Sequence, residues 1–200
     1  MRQRFSFPAT AFAFFLALTA LPVCAQYAAD YNNLGTQAYE AGNYEEAISY
    51  FNKAYEAVPS HATVRRNLCN AHQARANQLA KAGAFEEGVK HLELAIGIAP
   101  ENPAPLVQLG SYYLRLDRVS DAIFRLEEAI QVKPGMLEAH ELLGEAYYRD
   151  NDSPSARAQW EYVLEMDPGR TELRERYQKA FREESVEYDF QRSGSRHFKI

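Results

Sequence analysis

The string His140-Glu141-Leu142-Leu143-Gly144 begins like the zinc pattern His-Glu-x-x-His. That pattern works because two imidazoles one helical turn apart can grip one ion while the glutamate serves as base. Gly144 stands where the second imidazole belongs, so zinc chemistry fails here. His61, His72, His91 and His197 form no pair at ligand spacing. There is no Gly-rich phosphate loop and no Gly-x-Ser-x-Gly elbow. The carboxylate pairs Glu45-Glu46, Glu86-Glu87 and Glu127-Glu128 fall on faces expected to be solvated, where nothing would shift a pKa for acid–base work. The sequence therefore predicts no catalytic residue, no metal and no cofactor in this chain, and leaves binding as its task.

Composition narrows what could be bound. The 200 residues are 46% hydrophobic and 24% charged with a net charge of −5, which lacks the clustered positive charge a nucleic-acid binder needs. Tyrosine is abundant, with 13 residues beside 11 Phe, and reads as a packing unit. Residues 1–25 have the form of a secretory signal peptide: Arg2 and Arg4, an apolar run over 11–21, then Val23-Cys24-Ala25 before a cut at Gln26. The apolar run is about half of the roughly 20 residues a spanning helix requires, so no stable membrane anchor is expected. Leu21-Pro22-Val23-Cys24 departs from a lipoprotein box at Val23, which disfavours lipidation. Loss of the leader takes away two arginines and Cys24, leaving a more acidic chain in which Cys69 has no partner for a disulfide. The expected location is the periplasm or the exterior.

Self-similarity organises the remainder. From Ala28 the positions Tyr31, Leu34, Gly35, Ala38, Gly42, Tyr44, Ala47, Phe51, Ala54 and Pro59 set a pattern of 34 residues. It recurs from Pro103 as Leu109, Gly110, Tyr113, Val119, Ala122, Leu126, Ala129 and Pro134, and from Leu137 as His140, Leu143, Gly144, Tyr147, Ala156, Trp160, Val163 and Pro168. A further copy opens in register with Leu68 and Cys69, but its turn glycine, Gly83, arrives seven residues late before Phe85, Gly88, Leu92, Ala95 and Pro100 resume the pattern. Seven residues are about two helical turns. The insertion thus predicts a first helix lengthened over Arg75–Ala82 with its apolar face barely rotated.

These spacings resemble the tetratricopeptide repeat (TPR). The resemblance implies an all-α fold, a right-handed superhelical solenoid of four helix pairs at 28–61, 62–102, 103–136 and 137–170 with a capping helix at 171–187. Asn43 ahead of Tyr44-Glu45-Glu46 reads as an N-cap with a reciprocating acid, and Asp152 with Pro154 as another helix start. The resemblance also implies a concave groove lined by the first helix of each pair, for a protein or extended peptide partner. Carried over position by position, that groove comprises Asn32, Asn33, Thr36 and Tyr39, then Arg66, Asn67, Asn70 and Gln73, then Gln108 and Ser111, and finally Glu138, Glu141, Glu145 and Tyr148. Amide side chains offer donor and acceptor together and suit an extended backbone. The glutamates call for a basic residue on the ligand. The carboxylate clamp of some family members needs lysines where this chain has Asn32 and Ala104, so a C-terminal carboxylate ligand is not expected.

Residues 188–200 alternate Tyr188, Phe190 with acids and end on His197-Phe198-Lys199-Ile200, which reads as an extended or disordered tail. This junction resembles the one that precedes a peptidase-MA-like metalloprotease domain. The reading from sequence is an exported, non-enzymatic scaffold. Its alternatives are the docking or regulatory arm of a longer zinc peptidase cut at Ile200 and a self-associating envelope assembly factor.

Overall fold

The computed structural model describes residues 9–194, with side chains placed over 24–182. Among these residues all regular structure is helical: α1 (Ala9–Glu40), α2 (Tyr44–Ala57), α3 (Ala62–Lys81), α4 (Phe85–Ile98), α5 (Ala104–Arg115), α6 (Val119–Val132), α7 (Leu137–Arg149), α8 (Ser153–Met166) and α9 (Thr171–Gly194). The fold is an all-α helical repeat. The chain divides into two compact units with the break between Pro105 and Leu106, in the first turn of α5.

The same device closes every hairpin. One residue after each first helix enters the left-handed region: Gly42 at φ +78°, Gly83 at +81°, Asp117 at +58° and Asn151 at +62°. Glycine, Asp and Asn are the types that tolerate it. The following amide turns back to a carbonyl five residues earlier, Asn43 to Ala38 and Ala84 to Leu79 at 2.9 Å, Arg118 to Tyr113 at 2.8 Å and Asp152 to Tyr147 at 2.9 Å. These are the wide loops of a Schellman stop.

The glycine one turn before the end of the pattern's first helix sets how close the paired helices come. A Cβ on Gly35 would meet the Phe51 ring at 2.6 Å, one on Gly110 would meet Leu126 at 2.6 Å, and one on Gly144 would sit still closer to the Trp160 indole. The large residue lies 16 positions on in each case. In the copy with the insertion Cys69 takes the glycine's place and is fully buried, packed with Ala95, Ala99 and Ile98. Burial pushes its thiol pKa up, so the cysteine behaves as a small apolar side chain.

In the first unit Phe51 and Leu68 centre a core with Ala38, Ala47 and Ala71, flanked by Tyr39, Tyr50 and Tyr55. Tyrosine rings continue outward, Tyr27 to Tyr31 at 4.5 Å and Tyr31 to Tyr50 at 6.1 Å, with the Lys53 ammonium 5.1 Å over Tyr31. Asn43 occupies the N-cap of α2 but makes no side-chain capping bond, and Glu46 engages the Tyr50 hydroxyl, raising its pKa. The reciprocating cap read from the sequence does not form: the Asn43 N–H donates to the Ala38 carbonyl at 2.9 Å and Glu46 turns to Tyr50 instead. Helix α3 has 20 residues where α5 has 12 and α7 has 13, so the insertion extends the helix. α1 runs unbroken across the cleavage position read before Gln26, with Pro22 inside it.

In the second unit Trp160 is buried with Val163, Leu173 and Ala180, and its indole N–H donates to the Glu141 carbonyl at 3.0 Å. His140, the false zinc ligand, is fully engaged: one ring nitrogen meets Gln159 Oε1 at 2.7 Å, the other the Pro134 carbonyl at 2.8 Å, and Tyr162 lies 4.3 Å away. Asp152 caps α8 by accepting from the Ser155 N–H at 3.2 Å. α9 does not stop near 187 but reaches Gly194, so residues 188–194 are helical where the alternation of Tyr188 and Phe190 had read as extended. Residues 195–200 lie outside the described residues, as does any strand begun there.

Gly144→Ala is expected to destabilise the chain by about 1–3 kcal/mol through overpacking, despite the roughly 1 kcal/mol that Ala holds over Gly inside a helix. Gly97→Ala, where a Cβ meets nothing within 4 Å, should show no such loss; urea unfolding compares the two. A second expectation concerns acid. His72 is buried on α3 with its Nδ1 3.0 Å from His91 Nδ1, so one ring donates and the other accepts. Burial, then His91, pulls His72 from 6.5 down to about 4. His91 is lowered too, by burial and Arg75 against the opposing pull of Glu45 and Glu87. The unfolded chain takes up protons near 6.5 while the folded chain resists, so stability is full above that pH and falls as pH drops towards 4. Thermal melts at pH 7 and 4.5 should show this decline, and His72→Gln should flatten it.

Candidate functional site

In the first unit the structure brings together the predicted residues of α1 and α3. Asn67 Nδ2 donates to Asn32 Oδ1 at 3.0 Å, and Thr36 Oγ1 donates to the Asn32 carbonyl at 2.9 Å, so this part of the strip is already cross-braced. Gln73 donates from its amide nitrogen to Cys69 Sγ at 3.5 Å. Asn33, Arg66 and Asn70 are exposed and Tyr39 is half-buried.

Asn70 borders three hollows. The smallest, about 100 Å³, has Thr36, Tyr39, Phe51 and Asn67 as its other walls. A second, about 530 Å³, lies towards the start of α3 with Thr63, Arg66, Glu101 and Asn102. Its one acid, Glu101, is held by Arg65 at 2.9 Å. The third, about 580 Å³, lies towards the far end of α3, where Tyr39 and Tyr44 face Gln73, Asn77, Gln78 and Lys81. The two tyrosine rings meet edge on at 5.3 Å. Asn77, Gln78 and Lys81 belong to the inserted stretch Arg75–Ala82, which the sequence also offers as a ledge for a partner or an adjoining domain, and Tyr44, a repeat position, is not among the residues expected to line the groove.

In the second unit Gln108 donates to the Tyr112 hydroxyl at 3.0 Å, Ser111 is half-buried and Glu138 is exposed. The glutamates expected to await a basic ligand residue are answered from within the chain. Glu141 takes Arg170 and, at 2.9 Å, Arg176; Glu145 takes Arg149 at 2.5 Å and Arg176 at 3.4 Å. Arg176 is on α9 and Arg170 stands just before it, so the closing helix supplies the cation that the sequence placed on a partner. Tyr148 remains exposed, with its ring 5.7 Å from Trp160.

Other groups that could have suggested chemistry have structural duties. Glu45 pairs with Arg75 at 3.4 Å, Glu127 accepts from the Tyr147 hydroxyl at 2.6 Å, and Glu128 holds Arg125 at 2.8 Å. Burial and Glu127 push the Tyr147 pKa up to about 12. No group of three or more His, Cys, Asp or Glu able to hold a metal occurs among the described residues.

Antiparallel helix pairs closed by left-handed turns, three of them pinned by a glycine against a large side chain and the fourth carrying Cys69 in the glycine's place, define a helical-repeat protein. The chain carries tetratricopeptide repeats, matched at residues 28–61 and again across 107–171. It is 31% identical over 107 residues to the Hsp70-Hsp90 organizing protein of Triticum aestivum, a match covering 54% of this chain and 18% of that protein. The chain thus spans under a fifth of that relative. Among solved structures, the first TPR domain of Spaghetti (RPAP3), bound to the HSP90 peptide SRMEEVD, superposes with a TM-score of 0.57 at 20% identity, over 58% of this chain and 95% of that one. PilF of Pseudomonas aeruginosa gives 0.59 at 21% identity, over 82% and 71%.

Arg176→Ala leaves Glu141 with Arg170 and Glu145 with Arg149, and the lost pairs are substantially exposed. Urea unfolding should therefore show a loss of under about 1 kcal/mol.

Proposed function

We propose that this chain is a non-catalytic, exported module that holds an extended segment of another protein along α1 and α3 of its first unit. The observation that carries the reading is the run of amides on that strip, with Asn70 shared by three hollows and exposed. An extended backbone presents N–H and C=O groups in alternation, and an amide side chain can meet both. The likeness to co-chaperone repeat proteins supports a protein or peptide as the partner. The leader pattern of residues 1–25 supports export.

The Asn32–Asn67 bond gives the strip a fixed geometry before any ligand arrives, which lowers the entropy lost on binding. Glu141 and Glu145 of α7 are paired with arginines of the chain, which leaves the exposed Glu138 as the acid of that strip with no ion pair among the described residues. This places the weight of the proposal on the first unit.

Calorimetry on the partner captured from the native envelope should show that Asn67→Ala with Asn70→Ala weakens binding about tenfold or more, roughly one net hydrogen bond per amide. Unchanged affinity would reject the strip as the holding surface. Export is checked separately by the mass of the chain recovered outside the cytoplasm, which should begin at Gln26.

A further inference from the structure

Helix α9 meets its two neighbours through different kinds of contact. Towards α8 the contact is apolar: Leu173 and Ala180 are buried with Trp160 and Val163, and Leu137 at the start of α7 packs against this cluster. Phe181 sets its ring edge on to Trp160 at 6.1 Å, with Arg157 of α8 4.4 Å over the Phe181 ring. The Tyr177 hydroxyl donates to Glu161 of α8 at 2.5 Å. Towards the middle of α7 the contact is made by charge. Arg176 gives Nη2 to Glu141 Oε1 at 2.9 Å and Nη1 to Glu145 Oε2 at 3.4 Å.

Two hollows open along the seam between α7 and α9. One of about 390 Å³ lies between Glu141 and the turn that leads into α9, and one of about 420 Å³ lies between Glu145 and Tyr148 on one side and Arg176 and Lys179 on the other. Arg176 reaches an acid in the wall of each, so charge rather than packing spans the seam. Opening it strands no carboxylate. Glu141 keeps Arg170, and Glu145 keeps Arg149 at 2.5 Å. Arg170 also stays with Asp167 at 3.2 Å in the turn before α9, which fixes that turn as a pivot. Arg176 is 42% exposed, so water receives its guanidinium as it withdraws. Exposed pairs of this kind each favour contact by a factor of only about 1.5 to 5.

We propose that α9 is a salt-sensitive strap on α7. Low ionic strength holds it shut through Arg176, and screening of the Arg176 pairs lets it roll away from α7 on its apolar seat against α8. In the shut state Arg176 occupies Glu141 and Glu145, two of the positions expected to line a groove. In the open state both stand beside the exposed Glu138, and Trp160 loses part of its cover. The strap lies wholly in the second unit and does not depend on the strip of α1 and α3.

Trp160 is the single tryptophan of the sequence and is 1% exposed, so its quenching by acrylamide, a neutral quencher, reports the seam. The full chain is compared at about 25 mM and about 1 M sodium chloride, between which the screening length falls from roughly 20 Å to about 3 Å. The quenching constant should rise about twofold to fivefold with salt while the circular dichroism spectrum stays the same. Arg176→Gln should show the high value already at low salt and respond little further. Arg176→Lys keeps the charge and should behave as the parent chain. A quenching constant indifferent to salt, or a rise that accompanies loss of helical signal, overturns the strap. So does a salt response that persists undiminished in Arg176→Gln, or an Arg176→Lys chain that behaves as Arg176→Gln.

Discussion

The distance between paired helices is set by a missing carbon atom. At Gly35, Gly110 and Gly144 the second helix comes so near that its Phe51, Leu126 or Trp160 fills the space a Cβ would need. A large side chain against bare backbone gives many dispersion contacts in a fixed place, which locks rotation and register of the two helices together. Where Cys69 replaces glycine, a thiol of modest size is accepted and buried instead. Once this spacing holds, the remaining residues of each first helix are left to face elsewhere. In the first unit that is where the asparagines stand.

The hairpin turns make the second constraint. Each first helix ends by placing one residue at positive φ and returning the next amide to a carbonyl five residues back. Satisfying the last carbonyls in this way lets a helix end sharply without polar groups left over. It also explains how an insertion of seven residues is absorbed. Two turns added before the stop lengthen α3 without disturbing the stop or the face that packs, since seven residues return nearly to the same side of a helix. The addition keeps Ala76 and Leu79 buried while it sets Asn77, Gln78 and Lys81 outward, so it alters what the strip presents.

The helices and their packing faces were legible because their signals are local: glycine, alanine and aromatic residues at fixed offsets, prolines after each second helix, a late glycine marking the insertion. The site was less legible because its state depends on partners far along the chain. Glu141 and Glu145 read as an unanswered acidic patch, yet Arg170 and Arg176, up to 35 residues on, close on them. Nothing in the spacing of α7 announces where α9 will lie. Asn43 shows the same limit at short range: its backbone N–H goes to the Ala38 carbonyl in the turn, which leaves no N–H for a reciprocating acid, and its side chain makes no cap. The tail misled for another reason. Alternation over Tyr188 and Phe190 is compatible with a strand, but a strand needs a neighbour, and a helix satisfies its backbone alone.

Charge is distributed unequally between the strips of the two units. In the second unit carboxylates and guanidiniums pair within the chain, and pairs of that exposure add little stability on their own. What they do is remove acidity from a surface that would otherwise select cationic ligands. In the first unit the acids beside the strip, Glu45 and Glu101, are bound by Arg75 and Arg65, while the exposed Arg66 and Lys81 remain near opposite ends of α3. The Asn32 to Asn67 bond fixes two amides against each other, so the strip of the first unit is braced by a neutral hydrogen bond where that of the second is tied by ion pairs.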